Sequence, residues 1–65
     1  MLLLKDKAYI AVLRVMKVHA EIELVDYQRV LKLYDPEIPA FSIILDKVME
    51  IQDEISRLDK LMLEV

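Results

Sequence analysis

A chain of 65 residues makes one domain at most, and chains this short usually need crosslinks, metals or association to supplement their core. It has no cysteine, which excludes a disulfide scaffold and cysteine-based metal or redox chemistry. Apolar residues make up 57% and charged residues 32%, so the chain has more surface to bury than it can cover alone, and the net charge of −3 weighs against strong nucleic-acid binding.

No targeting segment is expected. Met1-Leu2-Leu3-Leu4 is short for a signal core and is interrupted by Lys5-Asp6-Lys7. Uncharged stretches such as Ala8 to Leu13 and Ile38 to Leu45 fall far below the roughly 20 residues of a membrane-crossing helix. A cytoplasmic location is therefore expected. The absence of Gly, Asn, Thr and Trp suits long uninterrupted helices and, compositionally, a thermophilic source.

From about residue 5 to residue 34 no Pro or Gly interrupts the chain. Lys7, Arg14, Lys17, Glu21, Gln28, Lys32 and Asp35 line one face at helical spacing. The pattern predicts a first helix of some 30 residues, about 45 Å long. Its apolar arc is wide enough for two stripes, Tyr9-Leu13-Met16-Ala20-Tyr27-Val30-Tyr34 and Ala8-Val12-Val15-Ile22-Leu33. A competing strand reading exists over Val18 to Leu24, where apolar and polar residues alternate. It would suit a ribbon-helix-helix dimer, but its outward residues would be His19, Glu21 and Glu23, facing phosphates of like charge.

Asp35-Pro36-Glu37-Ile38-Pro39 must end the first helix, because each proline lacks a backbone donor and drives the preceding residue out of helical geometry. A short irregular turn over 35–39 is expected, with Asp35 or Ser42 as capping candidates. The second helix follows from about 40 to 64. Phe41, Ile44, Val48, Ile51, Ile55, Leu58, Met62 and Val65 alternate there between spacings of three and four, a heptad seam. So short a connection makes the helices antiparallel neighbours.

The fold class predicted is thus all-α, a single 1–65 domain forming a two-helix antiparallel hairpin. If the second helix covers one stripe of the first, the other leaves about five large apolar side chains in water, worth on the order of 8–15 kcal/mol per protomer. Association costs an estimated ~4–15 kcal/mol, so a homodimeric four-helix bundle is expected. Its interface residues are taken as Val12, Val15, His19, Ile22, Phe41, Ile44, Val48, Ile51, Ile55, Leu58 and Met62. Parallel self-pairing of the second helix is disfavoured, since Glu54 would meet Asp59. His19 lies near the middle of the first helix beside small Ala20, which would allow two such helices to cross closely. In size and layout the assembly resembles the small hairpin dimers typified by plasmid copy-number RNA-binding proteins, although no motif assigns a family.

Chemistry has few candidates. His19 with Glu23 and Asp26 with Arg29 sit at pairing distance on one helix and read as a polar layer. Glu23-x-x-Asp26 and Glu50-x-x-Asp53 resemble the paired acidic motifs of all-helical nucleotide pyrophosphohydrolases, a likeness that would imply bound magnesium. Glu50 and Asp53 fall opposite the heptad seam, where a solvated acidic face explains them with fewer assumptions. Ser42, Ser56 and one histidine offer no nucleophilic set. No enzyme activity, cofactor or metal is expected. The leading expectation is a self-associating helical scaffold that binds its own copy or another protein helix. The alternative is a small dimeric nucleic-acid-binding regulator using Lys7, Arg14, Lys17 and Lys32 on the first helix.

Overall fold

The computed structural model describes the backbone of residues 2–64 and the side chains of residues 7–64. Two helices, α1 (Leu2–Leu33) and α2 (Pro39–Glu64), pack against each other as an antiparallel hairpin in a rod measuring 54 × 15 × 12 Å. Val18 to Leu24 lies inside α1, and no strand occurs among the described residues. The alternation there is overridden by its flanks, which carry the 3.6-residue period without a turn residue to interrupt it.

The turn forms because its residues suit it. Asp35 accepts the Ile38 N–H at 3.0 Å through its carbonyl and the Glu37 N–H at 3.0 Å through Oδ1, with Pro36 in the second position that its fixed φ favours. Ile38 in turn accepts the Phe41 N–H at 2.9 Å, opening α2 with Pro39 as its first residue. A proline costs nothing at that position, because the first helical N–H has no intrahelical acceptor. Asp35 therefore stabilises the turn and caps no helix, and Ser42 lies inside α2.

The core is a single seam. Phe41, Ile44, Val48, Ile51, Ile55, Leu58 and Met62 of α2 are all buried or half-buried, while Val65 lies outside the described residues. On α1 the covered line is Ile10, Leu13, Lys17, Ala20, Leu24, Tyr27 and Leu31, with Val30 beside it. These too alternate between spacings of three and four, so each helix offers a heptad edge to the other. The line runs between the two stripes drawn from the sequence: it takes Leu13, Ala20 and Tyr27 from the first, leaves Tyr9, Met16 and Tyr34 exposed, and recruits Ile10, Leu24 and Leu31.

Among the described residues only Leu13, Ala20, Val48, Ile51 and Leu58 are buried, and no polar side chain is. Ala20 is 1% exposed. Its small side chain on the inner seam suits a close approach of the two helices. It is therefore committed within the hairpin and is not available to an α1–α1 crossing.

Candidate interaction surface

The outer face of α1 is as regular as its inner one. Ala8, Ala11, Val15, Val18, Ile22 and Val25 again alternate between spacings of three and four, and every one of them is exposed. Each stands two positions before a residue of the inner seam. At about 100° per residue this places the outer line roughly 160° round the helix, on the side away from α2. Val12 and Leu33 flank it, Leu33 with 82% of its surface in solvent. Val15 and Ile22 are each 57% exposed, so neighbours on α1 already shield part of them. The side chains form two shallow open hollows, one lined by Ala11, Val12, Val15 and Met16, the other by Val18, Ile22, Val25 and Arg29 with Glu21 and Asp26 at its rim.

β-Branched residues dominate this line, where helix propensity alone would favour Ala, Leu, Glu or Lys. Valine and isoleucine have few rotamers to lose when covered, which suits a packing surface better than a solvated one. Sequence reasoning reached Val12, Val15 and Ile22 but missed Val18 and Val25. The signal for both was present in their heptad spacing from Val15 and Ile22.

The residues expected at an interface therefore divide into two sets. Phe41, Ile44, Val48, Ile51, Ile55, Leu58 and Met62 face α1 within the hairpin, whereas Val12, Val15, His19 and Ile22 lie in solvent on or beside the outer line. Further exposed apolar residues on α2, among them Ile43, Leu45 and Met49, follow no comparable heptad line.

The polar candidates are dispersed. Lys17 does not join a solvent face, because it occupies the inner seam and its Nζ meets Asp59 Oδ1 at 2.6 Å. That hydrogen bond, supported by the Asp59 and Glu21 charges against partial desolvation, raises the Lys17 ammonium above its ordinary value of 10.5. Lys7 and Arg14 share one exposed column and Lys32 lies in another, so the four expected basic residues form no continuous row. Among the described residues the remaining ion pairs are Lys47–Glu50 at 3.8 Å and Glu54–Arg57 at 4.0 Å, both one turn apart on α2. Neither His19–Glu23 nor Asp26–Arg29 closes into one.

Among the described residues no group of three or more His, Asp or Glu is placed to hold a metal ion, and no helix is long and apolar enough to cross a membrane. Comparison with protein-family models, characterised proteins and solved structures returns no match.

Proposed function

We propose that this protein is a non-enzymatic interaction module whose working surface is the outer face of α1, and that it associates through that face with a second α-helix, its own copy in the first instance. The supporting observation is the solvent-exposed heptad line Ala8-Ala11-Val15-Val18-Ile22-Val25 on the side of α1 opposite α2. A heptad line specifies a helical partner, since only another helix supplies side chains at the matching repeat. It also favours a particular architecture. With α2 on one side of α1 and the partner about 160° away, two joined hairpins stack in the order α2, α1, α1, α2. That is a four-helix assembly arranged as a layer, with the two α1 helices inside, in place of a square bundle around a shared core.

The energetics make the association reversible. Covering the exposed halves of Val12, Val15, Val18, Ile22 and Val25 gains about 1 kcal/mol per side chain, or on the order of 10 kcal/mol for two copies. This falls inside the estimated ~4–15 kcal/mol cost of joining two molecules. Assembly should accordingly depend on protein concentration. Sedimentation equilibrium across the micromolar to millimolar range is expected to show a monomer–dimer equilibrium that the Val18→Asp, Ile22→Asp double variant shifts to monomer. A wild type that stays monomeric throughout, or a double variant that dimerises as well as wild type, would refute the reading.

A further inference from the structure

We infer that the occupant of the outer α1 face is a second copy of this chain, docked antiparallel about a twofold axis midway between Val15 and Val18. This rests on the reading of the outer face as an interaction surface and adds orientation and register. The line is its own complement when read backwards: Val15 meets Val18 of the second copy, Ala11 meets Ile22, and Ala8 meets Val25, each small side chain opposite a large one. The axis falls near the middle of α1 (Leu2–Leu33), so the two helices overlap along most of their length.

The charges bordering the line select the same register. Lys7, Arg14, Glu21 and Gln28 form the column along one edge, and in this alignment Arg14 stands beside Glu21 of the second copy, twice by symmetry, with Lys7 beside Gln28. Both Arg14 and Glu21 are exposed, and neither forms an ion pair within the hairpin among the described residues. On the other edge His19 stands beside Val12 of the second copy, which keeps the two imidazoles apart.

The competing alignments fail on charge. Sliding one copy by a heptad, so that Val18 meets Ile22, brings Glu21 against Glu21 and His19 against His19. Sliding the other way brings Arg14 against Arg14 of the second copy. Parallel docking sets Glu21 beside Asp26 and Arg29 against its own copy. Like charges so placed are destabilising, and they act as a filter on register and orientation.

The absence of native cysteine allows a direct test. Val15→Cys and Val18→Cys chains, mixed and oxidised, are expected to crosslink to each other in preference to themselves, as are Ala11→Cys and Ile22→Cys chains. Independently, Arg14→Glu should weaken dimerisation about tenfold, and adding Glu21→Arg in the same chain should restore it. A dimer that crosslinks Val18→Cys to Ile22→Cys, crosslinks Val15→Cys mainly to itself, or ignores the charge swap would overturn this alignment while leaving the outer face as the interaction surface. A wild-type chain that remains monomeric up to millimolar concentration would overturn both this alignment and self-association through the face.

Discussion

The inner seam carries the stability of the hairpin, and Leu58 measures it. This side chain is 2% exposed and lies in the α2 heptad line. Leu58→Ala removes the equivalent of three methylenes, about 2.4 kcal/mol of transfer free energy at ~0.8 kcal/mol each. A cavity term adds to this, but a two-helix seam is open along both edges and can partly collapse. The expected total is about 3 kcal/mol, toward the lower end of the ~2–5 kcal/mol found for buried Leu→Ala changes. A domain of this size has a total stability of roughly 3–10 kcal/mol, so the loss should be plain in the midpoint of urea unfolding. The assay is circular dichroism at one fixed protein concentration, because any association also contributes to apparent stability. Leu63→Ala is the control: Leu63 is on the same helix but 86% exposed, and its truncation should cost no more than about 0.5 kcal/mol. If Leu58→Ala costs no more than Leu63→Ala, the α2 heptad line is not the buried face and the packing described here is wrong.

Two further outcomes follow from single positions on the inner seam. Lys17 gains its hydrogen bond to Asp59 only when folded, so its raised pKa contributes stability that is complete below the ordinary value of 10.5 and is lost as pH climbs through the higher folded value. Thermal melts between pH 9 and 11.5 should show wild type losing stability with rising pH more steeply than Lys17→Met, and parallel profiles would show the bond to be inconsequential. Ala20→Leu should destabilise by about 1–3 kcal/mol, since Ala20 is buried on the inner seam and a larger side chain there must push the helices apart; an unchanged urea midpoint would mean that the helices are not in close contact there.

The α2 helix was legible in the sequence almost to the residue because every heptad position is apolar and every charge falls elsewhere. The α1 helix was legible as a helix but not as a packing unit. Its apolar residues occupy two opposite edges, and a reader counting hydrophobic stripes has no local reason to prefer the line that contains a lysine over the one that contains only alanine, valine and isoleucine. The selection is made from outside α1. The turn at Asp35–Ile38 delivers α2 to one side, and the side chosen is the one where Leu13, Leu24, Tyr27 and Leu31 give bulk around Ala20. The pairing of Lys17 with Asp59 was invisible because it joins residues far apart in the chain, and Lys17 in isolation reads as part of a solvated face. On the outer face, Val18 was obscured by the local alternation of Val18 to Leu24, which invites a period of two where the longer run has a period near 3.5.

A lysine on a seam of otherwise apolar residues raises the question of what it accomplishes, since any aliphatic residue there would bury more apolar surface. Repetitive heptad edges match themselves at every shift of seven residues, so burial alone discriminates poorly between alignments. A single polar group at such a position breaks the degeneracy at some loss of stability. Here the 2.6 Å contact forms only in the observed alignment. Sliding the helices by one heptad in one direction sets Lys17 level with Gln52, and in the other sets Asp59 level with Leu24, which leaves one or both charges without a partner at an apolar contact. The short turn imposes the same alignment from one end, and the Lys17–Asp59 bond holds it near the other. On the inferred alignment the two edges of α1 use charge in the same way: Lys17 fixes how α2 lies on the inner edge, and Arg14 with Glu21, bordering the outer edge, would fix how a second copy lies there.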